Sequence, residues 1–257
     1  MRLHSMLHVI IITTLVCVLV SFAHAAPVTS AEITQQIKLG VDGLPRLREM
    51  VLNLPEDENS FRLQAVRGIA AIGGEKACAS LIDLLRTVKS MYVRLYIVDM
   101  LRSKFNSVTV RETLLQYITV PTLGEKILQE FQAMCVPEDK TIFDTVYTSI
   151  QSKQASEEIT VLSLRLFATF HYTTARPIVL KYLDSRSSSL KNEAISLAGA
   201  IGDNDIKQKL WSILLDASTI NTPYRDEAAE AIGNIGSMDD ASRLTQLPRE
   251  VNRHPDG

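Results

Sequence analysis

Phe61-Arg62-Leu63-Gln64-Ala65-Val66-Arg67-Gly68-Ile69-Ala70-Ala71-Ile72-Gly73 is written three times over in this chain, returning from Leu190 to Gly202 and from Tyr224 to Gly236. Every copy ends in Ile-Gly and opens with an apolar residue followed by a base: Phe61-Arg62, Leu190-Lys191, Tyr224-Arg225. Small or apolar residues stand at offsets of four, five, seven and eight from the first position. These offsets fall on one face of a helix. Self-similarity of this kind is the signature of a repeat architecture, in which each unit buries its apolar face only against its neighbours.

Tyr224-Arg225-Asp226-Glu227-Ala228-Ala229-Glu230-Ala231-Ile232-Gly233-Asn234-Ile235-Gly236 resembles, almost position for position, the first helix of a HEAT-like repeat of the PBS-lyase type. With that template, weaker copies are read at Val93-Arg94 through Phe105, Leu123 through Cys135, and Ile159-Thr160 through His171. These depart from the family at the closing glycine. The closing positions 73, 105, 135, 171, 202 and 236 are separated by 32, 30, 36, 31 and 34 residues, a period near 33. The resemblance implies an all-α, right-handed α-solenoid of helical hairpins. An unrelated helical bundle would suit the composition but leave the period unexplained.

Elementary chemistry supports the hairpin independently. Ala65, Ala194, Ala228 and Ala229 let first helices approach closely, and Gly199 and Gly233 are expected to remove the last obstacle to contact. Gly73, Gly202 and Gly236 suit a left-handed turn ending a helix. Polar starts for second helices follow: Glu75, Asp203-Asn204-Asp205, and Ser237 with Asp240 as a capping box. Thr222-Pro223 makes an N-cap with proline at the first helical position. Second helices carry apolar stripes of their own, such as Ile206, Leu210, Ile213 and Leu214. The expected organisation is an irregular N-terminal hairpin or cap over 26–58, about six hairpins over 59–247, and a flexible tail over 248–257.

Residues 1–25 read as a secretory signal peptide. Arg2 supplies the charge, Val9 to Val20 is apolar except for Thr13 and Thr14, and Ala23-His24-Ala25 offers small residues at a cleavage point. The apolar run falls short of the ~20 residues that span a bilayer, although an uncleaved anchor stays open as the alternative. Cys17 lacks the small preceding residue of a lipobox. The protein is therefore expected to be periplasmic or secreted, with no integral membrane insertion after cleavage. Formal net charge over the full chain is −2, which provides no field to gather phosphate backbones, so nucleic acid is not expected as a partner.

Motifs for chemistry are missing. Beyond the signal segment only His171 and His254 remain, neither followed by Glu, which argues against a two-metal hydroxylase site of the kind some HEAT-like proteins carry. Cys78 and Cys135 fall in units that are not neighbours, too far apart for a disulfide across stacked helices. There is no Gly-x-Ser-x-Gly, phosphate loop or dinucleotide fingerprint. No cofactor and no metal is expected. The resemblance also extends to proteins that attach bilin pigments, so an accessory lyase or other HEAT-like enzyme with an unrecognised site is the alternative to a non-catalytic scaffold.

A scaffold would bind a protein or peptide partner along an extended helical surface, expected here on the second helices. Arg62, Arg94, Lys191 and Arg225 occupy one repeat position and either form a basic stripe for an acidic partner or pair with acids and helix ends of adjacent units. Trp211 either packs at the core edge or anchors a ligand.

Overall fold

The computed structural model describes residues 28–152, 155–216 and 223–247, which contain fourteen α-helices and no strand. Residues 1–25, read above as a signal peptide, residues 248–257, read as a tail, and Thr222 lie outside the described residues, as does His254. The chain divides into two compact units between Ser80 and Leu81. That point falls inside a helix.

The first unit contains α1 (Ser30–Lys38), α2 (Leu44–Asn53), α3 (Asn59–Ile72) and the beginning of α4 (Gly74–Thr87). Thr29 caps α1 by accepting from Glu32 N, and a 3-10 turn, Gly40–Gly43, leads into α2 with Pro45 in its first turn. Both α1 and α2 pack on α3, burying Ile33, Leu47, Met50, Val51, Val66 and Ile69. Gly68 is what lets α1 in: a Cβ there would lie 3.0 Å from Ile37 Cγ1.

In the second unit, α4 ends and five hairpins follow. They are α5 (Met91–Phe105) with α6 (Val108–Leu115), α7 (Leu123–Met134) with α8 (Lys140–Gln151), and α9 (Glu157–Thr169) with α10 (Arg176–Leu183). Then come α11 (Ser188–Ile201) with α12 (Asn204–Leu215), and α13 (Pro223–Ile235) with α14 (Met238–Gln246). First helices form one row, α5 on α7 on α9 on α11 on α13. Second helices form another, with α6 on α8 and α10 on α12, and each of α6, α8, α10 and α12 also packs against the first helix that follows it. This two-row stacking makes the fold an all-α solenoid. First helices end at or within two residues of the closing positions read from the repeat.

Rings join the α7–α8 hairpin to the one that follows it. Phe143 and Tyr147 of α8, Phe167 of α9, and Phe170 and Tyr172 beyond it stand with centroids 5.0 to 6.4 Å apart, in tilted, stacked and edge arrangements that favour aromatic pairs. Tyr172 donates its hydroxyl to Asp144, and its pKa is pushed up to about 12, first by burial and then by that bond. At the closing position, His171 takes the left-handed conformation that glycine usually supplies, with φ 49°.

The glycines correct the sequence reading. Of the three closing glycines only Gly73 has a positive φ, 72°. Gly202 has φ −57°, and a Cβ there would meet Ile235 Cδ1 at 2.3 Å; at Gly236 it would meet Ile232 O at 2.4 Å. These two are small because neighbours crowd them. Within the helices, Gly199 does admit close contact, since its Cβ would sit 3.0 Å from Ala231 Cα, but Gly233 faces nothing within 4 Å. The tightest site in this unit carries no mark in the motif. A Cβ on Gly124 would stand 2.0 Å from the carbonyl oxygen of Ile118. Because backbone cannot yield as a side-chain tip does, Gly124→Ala is expected to destabilise the protein by about 2–3 kcal/mol in urea unfolding. An unchanged midpoint would show that the turn before α7 has slack.

Candidate functional site

The base at the second repeat position serves helix ends. Arg62, 5 % exposed, donates from Nε to Val51 O at 3.0 Å and from Nη1 to Asn59 Oδ1 at 3.2 Å. Arg94 repeats the gesture, Nε to Leu85 O at 3.2 Å, and stacks over Tyr117 at 5.3 Å. Val51 and Leu85 each stand two residues before the end of their helix, where carbonyls lack intrahelical donors and the dipole favours a cation. Lys191 lies over the Tyr224 ring at 5.0 Å, and Arg225 is half-buried at the start of α13. Both Arg62 and Arg94 act as helix clamps, and Arg62, buried, is no rung of a surface stripe, while half-buried Arg94 commits its Nε to a backbone carbonyl.

Trp211 is interior. It is 7 % exposed, its Nε1 donates to Asp240 Oδ1 at 3.1 Å, and the Arg243 guanidinium covers its ring at 4.1 Å. Asp240 also accepts from Lys207 Nζ at 2.9 Å and from Ser237 N at 2.8 Å, completing the capping box of α14. The bond from the Ser237 backbone, then those from Lys207 and Trp211, hold this carboxyl well below the usual carboxylate range.

Asp240 belongs to a series that the sequence did not reveal. Along the second-helix row a base on one element meets an acid at the start of the next. Arg111 of α6 pairs with Asp139, which precedes α8, at 2.9 Å; Arg176 of α10 pairs with Asp203 and Asp205; Lys207 of α12 pairs with Asp240. Acids there complement the helix N-terminus. Asp203 is also a working N-cap, accepting from Ile206 N at 3.0 Å. The first-helix row has its own links, Lys126 to Asp99 at 2.7 Å, Arg102 to Glu130, and Arg165 to Glu193. Charged residues one repeat apart are thus used to align hairpins.

Neither thiol is poised for attack. Cys135 is buried and its pKa is pushed up to about 12 by burial and then by Asp139; burial also pushes up Cys78. Thiolate, the reactive form, is suppressed at both. Both are free thiols. His171 is exposed and donates from Nδ1 to Ala200 O at 2.9 Å, joining the end of α9 to α11. Among the described residues no group of three or more His, Cys, Asp or Glu side chains is placed to hold a metal, and no helix is long and apolar enough to cross a membrane.

Open concavities lie on the first helices. A groove of about 350 Å³ runs between α11 and α13, lined by Asn192, Glu193, Ser196, Glu227, Glu230 and Asn234 among others. A second, of about 770 Å³, continues from it toward the end of α9, sharing Ser196, Gly199 and Asn234 and adding Arg165, Thr169 and His171. The sequence places the expected binding surface on the second helices, whereas these two concavities lie on the first. Gly199, Ala200, Ser196 and Ala231 are too short to fill the space over the tightly packed first helices, so a trough remains. Two acceptors in it, Asn192 Oδ1 and Glu227 Oε2, are buried and have no hydrogen-bond partner. Burial, aided by Glu193, Glu230 and Asp226, pushes the Glu227 carboxyl above its ordinary value.

No family model matches this chain, and neither does any curated protein. Among solved structures, it is similar to a designed armadillo repeat protein in complex with the peptide (KR)4, at 17% identity and TM-score 0.45, over 75% of this chain and 99% of that one. A crystal structure of an engineered protein is similar at 15% identity and TM-score 0.44, over 81% of this chain and 62% of that one.

The repeat template treats the trough residues as variable, which conceals them at the level of sequence. Ser196 follows Asn192 by four residues and Glu193 by three, and Glu227, Glu230 and Asn234 follow one another at three and four, so each set shares a helix face. A polar stripe at helical spacing within the motif was the available signal.

Proposed function

We propose that this chain is an exported, non-catalytic scaffold of HEAT-like repeats that binds a protein or peptide segment in the trough on α9, α11 and α13. The observation that carries this reading is the trough itself: two joined concavities over small residues, walled by Asn192, Asn234, Ser196, Thr169 and carboxylates. Such a wall suits the amide donors and side chains of an extended segment. Export rests on the character of residues 1–25, and N-terminal sequencing of the mature protein is expected to begin at Ala26.

The binding reading is tested with peptides selected from a displayed library on the full chain. Ser196 is exposed and lines both concavities, so Ser196→Arg fills the trough without disturbing the core. The variant is expected to keep the wild-type circular dichroism and to bind the selected peptides at least about tenfold more weakly, roughly 1.4 kcal/mol. Peptides that bind wild type and S196R alike would place recognition elsewhere.

A further inference from the structure

The contact between α11 and α13 holds a carboxyl where a charge is poorly accommodated. Gly199 and Ala231 bring the two helices so close that a single added Cβ would lie 3.0 Å from the opposite Cα. Glu227, in the first half of α13, is half-buried beside this approach, and its Oε2 is sealed from solvent without a hydrogen-bond partner. The charged groups acting on it are all acids: Glu193 across the groove on α11, and Glu230 and Asp226 on its own helix. Basic side chains on the surrounding helices are engaged. Arg165 of α9 binds Glu193, Lys191 of α11 lies over Tyr224, Lys207 and Lys209 of α12 pair with Asp240 and Asp184, and Arg243 of α14 covers Trp211.

A partly desolvated carboxylate beside three other acids costs free energy that the neutral acid does not, and the neutral acid adds an O–H donor to a groove holding the orphan acceptor Asn192 Oδ1. We propose that the α11–α13 contact is a proton-responsive joint: Glu227 takes up a proton as the surroundings acidify, and the hairpin α13–α14 then seats more firmly on α11. The step adds one proton from solvent to one carboxylate and breaks no covalent bond. It does not depend on what the trough binds.

The direction follows from linkage. A carboxyl whose folded value lies above its unfolded value makes the native state bind the extra proton; its stabilisation is complete below the unfolded value and is lost as pH rises through the folded one. Asp203 and Asp240 act oppositely, losing stability as pH falls, so wild type must be compared with a variant at each pH. Glu227→Gln is isosteric and permanently neutral. It is expected to raise the thermal midpoint by about 2–4 °C at neutral pH, with the gap closing as pH is lowered to about 4.3, the ordinary glutamate value. Exposed Glu230→Gln, which removes one neighbouring charge and leaves Glu227 in place, is expected to give a smaller change. On the wild-type chain, a carboxyl-carbon NMR titration should place Glu227 above that ordinary value, and amide exchange across 223–235, corrected for intrinsic rates, should slow as pH falls. A Glu227 resonance titrating at or below the ordinary value, or an E227Q difference constant with pH, would overturn the proposal. Because none of these readouts involves a ligand, they stand or fall apart from the binding reading.

Discussion

Arg111→Ala is expected to destabilise the protein by about 3–5 kcal/mol, the usual cost of removing one partner from a buried ion pair. Arg111 and Asp139 are each 7 % exposed at the side chain and meet at 2.9 Å. Arg111 Nη1 also donates to Asn106 Oδ1 at 2.8 Å, and Asn106 in turn donates to Met134 O at the end of α7. The second oxygen of Asp139 accepts from Val136 N at 2.9 Å, pinning the turn between α7 and α8. Alanine would strand that carboxylate in the interior with only a backbone donor. The paired variant Arg111→Met with Asp139→Asn removes both charges and is expected to recover much of the loss, because the stranded charge, more than the missing attraction, sets the cost. Urea unfolding of wild type, the single variants and the double variant forms the cycle that checks this; a double variant as unstable as R111A would locate the loss in packing.

Trp211→Ala should cost a comparable amount, about 3–5 kcal/mol, through the cavity left by the largest side chain of α12. It also removes the donor to Asp240, the acid that starts α14. Trp211→Phe keeps most of the bulk and loses the N–H, so about 1 kcal/mol is expected. Unfolding followed by circular dichroism measures both. Trp211 is the sole tryptophan, and in the wild type its emission should be blue-shifted and poorly quenched by acrylamide. Efficient quenching in the native state would return it to the surface as a ligand anchor.

The helices were legible because burial in a stacked hairpin demands small or apolar residues at fixed angles, and this demand survives even where the repeat is worn. Val93, Ile97 and Leu101 keep the buried face of α5 without any closing glycine, since a helix needs its stripe more than its stop signal. Capping was legible for the same local reason: Ser237 and Asp240 are three residues apart, and Asp203 sits just before its helix. The roles of the basic residues were not. Whether Arg62 reaches outward or folds back onto Val51 O depends on where a different helix ends, which no spacing within its own motif records. The trough was hidden likewise, because it is made by side chains that are short relative to the gap between α11 and α13.

What the amino-acid sequence determines by itself here is the repeating helical hairpin, its period and its caps, all properties of residues within one turn or one hairpin of each other. Only the tertiary structure decides which glycine serves a turn and which a close approach, which charges align neighbouring hairpins, and which polar stripe is left facing a groove. Those depend on distances between residues about thirty positions apart, as Trp211 and Asp240 or Arg111 and Asp139 are, and such distances are set by the stacking of whole units.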